Sequence, residues 1–261
     1  MAPRFRVQSP KIRIVLPVCA KDLTLMLKNL DWQEEIDGRK DFDCVISADG
    51  SLTTNALYDL ETIAWRTFSS VELCVYPEAP NSTWPFGPNW AFQHTAKYME
   101  RGGRPWFWME PDCVALKSGW LNFLNQTYFR SRKPIMGVII EGMGHCNGTA
   151  IYPANFPRLS PNSMRCTHLA WDGVMKDETI QHTADGKPMM CHVWGIENGK
   201  ALAFGGSPAH FTSWEDVMRW VDPRAMVFHR AKDGSLIDQL RLKRNEGRNI
   251  PGNIRAGCAL A

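Results

Sequence analysis

The residues with the plainest chemical purpose stand in WFWMEPDCVAL, where an apolar run from Trp106 ends in two carboxylates, Glu110 and Asp112, separated by Pro111. Carboxylates at i and i+2 on a strand terminus offer oxygen ligands to a hard divalent cation, which can bridge the oxygens of a diphosphate. The alternative is an acidic strand end that only caps the following loop. Polar residues close other apolar runs in the same way: Pro17 to Asp22 (Lys21 included) at the end of KIRIVLPV, Asp49-Gly50-Ser51 after FDCVISA, and Pro77 to Pro80 after VELCVY. In an open α/β sheet such positions lie beyond the carboxyl ends of the strands, where ligands bind.

The elements that must hold these residues are legible in the first half of the chain. KIRIVLPV, FDCVISA, VELCVYP and RPWFWME read as strands, rich in β-branched and aromatic residues and bounded by Pro, Gly or Asp. LTTNALYDLETIAWRTF places Leu52, Ala56, Leu57, Leu60, Ile63, Ala64 and Phe68 on one helical face. PNWAFQHTAKYME follows a Gly87-Pro88 start signal and sets Ala91, Thr95 and Tyr98 on a shared side. The alternation predicts an α/β fold, a mostly parallel, doubly wound sheet flanked by helices, built as a single domain over residues 1–261. A further helix is expected in SGWLNFLNQTYF, strands in PIMGVIIEG and HCNGTAIYPANF, and then a Pro/Asn/Gly-rich stretch to about residue 210 of the kind that builds a binding site.

Several function classes are excluded. No GxGxxG follows the first strand, and neither GxxxxGK[ST] nor GxSxG occurs, which removes the standard dinucleotide, P-loop and serine-hydrolase signatures. The eight cysteines contain no CxxC pair, which argues against a zinc knuckle or a thioredoxin motif, and their apolar settings suggest free thiols in a reducing compartment. Arg13 and Pro17 interrupt the only N-terminal apolar patch, and no stretch approaches the ~20 apolar residues of a membrane span. A cytoplasmic location without a membrane partner is expected. With 44% hydrophobic and 22% charged residues the composition is that of a folded soluble chain, not a disordered one. The net charge of +3 is uneven: nine Lys and Arg against four acids lie from Arg219 onward, which suggests a nearby anionic ligand or else a solubilising tail.

Taken together, WFWMEPDCVALKSGWL, IRIVLPVCAKD, ISADGS and GPNWAFQHTAKYM resemble the nucleotide-sugar-binding half of glycosyltransferases of the GT-A (Rossmann-like) fold. That family closes its fourth strand with a DxD motif whose last carboxylate holds Mn²⁺ or Mg²⁺ on the diphosphate of the donor; here the motif is ExD. The resemblance implies a nucleotide-sugar half over about 11–120, an acceptor half and metal-site closure over about 121–240, and a basic tail over 241–261. It implies Asp112, His229 and Glu110 as metal ligands, the histidine coming from AMVFHRAKDGSLIDQL. A neutral imidazole is a competent partner of carboxylates around Mn²⁺, and a nearby lysine offsets charge on a leaving diphosphate. Donor contacts then fall to Pro17, Lys21, Asp22, Asp49, Glu110 and Lys232.

In inverting members an acidic residue in the region matching HLAWDGVMKDE deprotonates the acceptor. Asp172 is the first choice, with Asp177 and Glu178 as competitors, and the alternative for Asp172 is a helix cap. His145 and Asn147 of HCNGTAIY and the ring of Trp171 are the expected acceptor contacts. Trp84, Trp90, Trp120, Trp194 and Trp214 also lie in or beside expected loops, and one or two of the tryptophans are expected at a ligand. MEPDCVALKSGWL followed by FHRAKDGSLID is similar to compact bacteriophage glycosyltransferases, some of which glycosylate hydroxymethylated pyrimidines in DNA. That similarity implies a UDP-sugar donor, a DNA acceptor in the host cell cytoplasm, and Arg241, Lys243, Arg244 and Arg248 on phosphates. The competing readings are a cytosolic glycan or small-molecule glycosyltransferase and a non-catalytic DNA-binding protein.

Overall fold

The computed structural model describes residues 10–193, 195–197, 200–202 and 207–246. Strands and helices alternate from the start: β1 (Arg13–Val18), α1 (Leu23–Asp37), β2 (Lys40–Asp49), α2 (Thr54–Thr67), β3 (Phe68–Tyr76), α3 (Phe86–Gly102) and β4 (Trp106–Trp108). There follow β5 (Cys113–Ala115), α4 (Trp120–Ser131), β6 (Ile135–Ile139), β7 (Cys146–Tyr152), and the short helices α5 (Phe156–Leu159), α6 (Trp171–Val174) and α7 (Lys176–Thr179). The last part holds β8 (Thr183–Asp185), β9 (Met190–His192), β10 (Gly195–Glu197), β11 (Lys200–Leu202), α8 (Trp214–Trp220), β12 (Val227–His229) and α9 (Ser235–Asn245).

Among the described residues a seven-stranded sheet runs β3-β2-β1-β4-β7-β6-β8. The first four of these strands are parallel to one another, β6 and β8 are parallel to each other, and β7 runs against both β4 and β6. This is the mostly parallel α/β arrangement that the strand–helix alternation predicts. The central strand β1 is buried along its whole length, so it reads as a continuous apolar run and not as an alternation. Ile14, Leu16 and Val18 pack with residues of α1, α2 and α4 on one face, while Val15 packs with residues of α3, α5 and α6 on the other. A three-stranded sheet, β5-β12-β9, carries its own apolar cluster with Phe211, Phe228, Leu236 and Ile237.

Three features depart from the sequence reading. Helix α1, to which the sequence reading assigns no element, buries two polar side chains, Asn29 and Gln33, beside Met26, Leu30 and Trp32. Strand β4 ends at Trp108, and Cys113–Ala115, just past the ExD motif, form β5 of the second sheet. Pro17, expected beyond the end of the first strand, lies inside β1, buried and in register with Ser47. No helix among the described residues is long and apolar enough to cross a membrane, and the seven described cysteines are free thiols.

Candidate active site

The parallel strands deliver their carboxyl ends to one edge of the sheet, and the ExD turn leaves β4 there. Three polar side chains of α1 hold that turn from below. The Asn29 amide donates to the carbonyls of Pro111 (3.0 Å) and Cys113 (2.6 Å), and the Trp32 indole donates to Ala115 (2.7 Å). The Gln33 amide reaches the Met109 sulfur at 3.8 Å. The polar atoms that α1 buries are therefore the ones that shape the turn.

The second sheet brings the C-terminal histidine to the same place. β12 runs antiparallel to β5 with His229 opposite Cys113, and the amides of Arg230 and Ala231 donate to the Asp112 carbonyl at 3.2 and 3.0 Å. Arg230 adopts φ 94°, a conformation costly for any residue but glycine, and this closing of the chain over Asp112 sets it. His229 Nε2 then lies 3.1 Å from Glu110 Oε2 and 3.2 Å from Asp112 Oδ1, and Lys232 Nζ lies 3.0 Å from Asp112 Oδ2. One ligand atom from each of Glu110, Asp112 and His229 falls within 4.8 Å of the others.

Electrostatics follow from that packing. Burial opposes charge on His229, yet the Asp112 and Glu110 carboxylates outweigh it and raise the imidazole to about 9. Burial likewise opposes ionisation of Asp112, but His229 and Lys232 outweigh it and hold the carboxyl well below the usual range. Positive charge is thus favoured at the point where the three side chains converge. Two carboxylates and an imidazole at that spacing fit a hard or borderline divalent cation such as Mn²⁺ or Mg²⁺.

His192 belongs to this cluster and was missed in the sequence. It closes β9, which pairs in parallel with β12 so that His192 lies in register with His229, and the two Nδ1 atoms are 3.0 Å apart. Burial, with the charges of His229 and Arg230 adding to it, pushes its pKa far below the ordinary imidazole value. A signal existed: MMCH and MVFH are two short apolar runs that each end in histidine.

Strand β7 supplies the opposite wall. Because it runs against β4, its first residues lie beside the end of β4, and a side chain at Gly148 would start 3.4 Å from Glu110 Oε1 and 2.9 Å from the Trp171 ring. Asp172 sits against the same turn, accepting from the amides of Gly148 (3.2 Å) and Gly173 (2.9 Å), with His145 Nε2 4.0 Å away. Burial raises its carboxyl above the ordinary range; His145 opposes that shift and Glu110 adds to it. The capping alternative is met in part, since Gly173 is the next residue of α6. The bond to Gly148 instead ties Asp172 to the site wall.

Other expected residues are dispersed. Asp49 closes β2 on the same edge and accepts from the Ser51 amide (2.9 Å), while Asp22 accepts from the Cys19 thiol (3.0 Å) and Lys21 is exposed in the turn after β1. Asn147 is buried and its side-chain oxygen accepts from the Thr149 amide at 3.0 Å. Trp171 is corrected from an acceptor contact to a core anchor: its ring stacks on Phe92 at 3.5 Å and meets Tyr152 and Trp108 edge-on. Trp120 is likewise buried, whereas Trp84 is 71% exposed. Arg241, Lys243 and Arg244 lie on α9. Arg241 pairs with Asp31 and Glu35 of α1, Arg244 donates to the Glu35 carbonyl, and Lys243 lies 3.3 Å from Glu246, so their donors serve the docking and end of α9. Trp194, Arg248 and the tail from residue 247 lie outside the described residues.

No protein-family model matches the sequence, and no curated protein matches it. Solved structures do. The chain is similar to the galactosyltransferase LgtC in complex with donor and acceptor sugar analogues, at a TM-score of 0.52 and 8% identity over 88% of this chain and 95% of that one. It is similar to mouse xyloside xylosyltransferase 1, at a TM-score of 0.50 and 6% identity over 84% of this chain and 97% of that one. It is also similar to the bifunctional glycosyltransferase WbbM, at 0.54 and 8% identity over 90% of this chain, and spans about half (49%) of that longer protein. The fold is the GT-A arrangement of these glycosyltransferases.

Proposed function

We propose that the chain is a metal-dependent glycosyltransferase that moves a sugar from a UDP-sugar to an acceptor hydroxyl. The observation that carries the reading is the convergence of Glu110, Asp112 and His229, within 4.8 Å, at the carboxyl edge of a GT-A sheet. These three residues would hold Mn²⁺ or Mg²⁺, which supplies Lewis-acid neutralisation of a diphosphate. Asp49 and the turn of Lys21 and Asp22 line the strand ends on which the nucleoside would rest. Lys232, on a half-exposed stem beside Asp112, offsets negative charge that builds on the departing diphosphate. Asp172 takes the proton of the acceptor hydroxyl as its oxygen attacks the anomeric carbon, and burial makes this carboxylate the stronger base. His145 and Asn147 lie on the same wall as acceptor contacts.

The narrower reading takes the acceptor to be a hydroxymethylated pyrimidine in DNA. Its support is the excess of basic residues from Arg219 onward and the resemblance in the ExD and FHRAKDGSLID segments. The target base would have to leave the stack to reach Asp172. The test is nucleoside diphosphate release from a panel of UDP-sugars, with and without Mn²⁺, in the presence of hydroxymethylated DNA, plain DNA or neither. Release that needs metal and is lost in Asp112→Asn and His229→Ala is the expected result. Dependence on hydroxymethylated DNA supports the narrower reading, metal-dependent release indifferent to DNA replaces it with a glycan or small-molecule acceptor, and no release under any condition overturns the enzyme.

A further inference from the structure

We propose that His192 is a positioning residue that fixes the tautomer and orientation of His229, through a hydrogen bond from His229 Nδ1 to His192 Nδ1. The inference rests on the metal-site reading above.

The two rings are brought together by the sheet and not by chance contact of loops. Residues in register on adjacent parallel strands project to the same face, and His192 is the register partner of His229. The ring centroids are 4.9 Å apart with planes tilted by 36°, and the Nδ1 atoms are at hydrogen-bond distance, 3.0 Å. Only one of two facing ring nitrogens can carry the shared proton. His229 Nε2 aims at Glu110 and Asp112, so it must present a lone pair there to act as a ligand. A neutral His229 then carries its proton on Nδ1 and donates it to His192, whose Nδ1 accepts. The imidazole that meets the carboxylates is thus locked in rotation and tautomer by a partner from a different strand. Partners of this kind are usually worth 10- to 100-fold in metal affinity.

The test measures Mn²⁺ affinity by titration calorimetry, with activity not required. His192→Leu removes the acceptor and is expected to weaken binding about 10- to 100-fold. His192→Asn restores an acceptor oxygen near the Nδ1 position and should recover most of that loss. In the His229→Ala background, His192→Leu should cost nothing further, because it acts only through His229. Wild-type affinity in His192→Leu, or an undiminished loss in the His229→Ala background, overturns the proposal; the second result would make His192 a ligand in its own right. Should His192→Leu fail to fold, ¹⁵N–¹⁵N coupling across the hydrogen bond in the Mg²⁺-loaded wild type decides: coupling between His229 Nδ1, carrying the proton, and an unprotonated His192 Nδ1 is expected, and no coupling, or a proton on His192 Nδ1, overturns the inference. Failure of the wild type to bind Mn²⁺ would instead count against the metal site itself.

Discussion

Asp172→Asn isolates the proposed base with little change in shape. In the native chain one oxygen accepts from the Gly148 amide and the other from the Gly173 amide. Asparagine can keep its oxygen on the Gly148 amide and turn its NH₂ group to the Gly173 amide, which is exposed and also donates to the Ala170 carbonyl at 3.0 Å. The loss of stability should therefore stay below about 1 kcal/mol. At about 2–4 °C per kcal/mol for a chain of this size class, the melting midpoint should fall by no more than about 4 °C with the fold retained. The catalytic effect should be larger. Loss of a general base costs about 10²- to 10⁴-fold in kcat, or about 3–5 kcal/mol of barrier, while Mn²⁺ and donor binding stay close to wild type.

The pH profile carries the sign. Burial raises the Asp172 carboxyl, so the ionised base is lost at a higher pH than an exposed carboxylate would be. Wild-type kcat should therefore fall as pH is lowered through that raised value, and the asparagine variant should lack this limb. The assay is initial-rate release of nucleoside diphosphate at saturating donor and acceptor, followed across the acid range. A variant that keeps more than about a tenth of kcat, or that is slow yet keeps the wild-type acid limb, would refute the assignment and turn attention to Asp177 and Glu178.

Three further outcomes follow from the same geometry. Gly148→Ala would place a methyl 2.9 Å from a Trp171 ring already stacked on Phe92, so thermal unfolding should show a loss of about 1–3 kcal/mol from overpacking. Asn29→Leu leaves the Pro111 and Cys113 carbonyls without their donor; we expect about 1–3 kcal/mol for each in denaturant unfolding, together with weaker Mn²⁺ binding as the ExD turn loosens. Trp171→Ala should cost about 3–5 kcal/mol of stability, and a Trp171→Phe variant that restores stability should leave the acceptor KM near wild type; a large KM change in that variant would return Trp171 to the acceptor site.

By itself the sequence determined the parallel half of the fold. Strands buried on both faces must be apolar throughout, and helices covering them must be apolar on one side, so β1 to β4, α2 and α3 are written in short local patterns. It also marked Glu110 and Asp112, because a carboxylate pair closing the apolar run WFWM stands out against its neighbours. The approach of His229 to that pair was implied by resemblance, but its distance was not, since 117 residues separate it from Asp112 and no local pattern spans such a gap. Tertiary structure alone decided the rest. Asn29 and Trp32 lie on the buried face of α1 among apolar neighbours, and their buried polar atoms make sense only once the carbonyls of Pro111, Cys113 and Ala115 are opposite them. Trp171 and Trp84 are the same residue type in similar loop contexts, and only packing sends one into the core and leaves the other in solvent. Nothing local in the basic run of α9 shows that Asp31 and Glu35 of α1 face Arg241. His192 reached the site through strand register, a property of paired chains that a single segment does not carry.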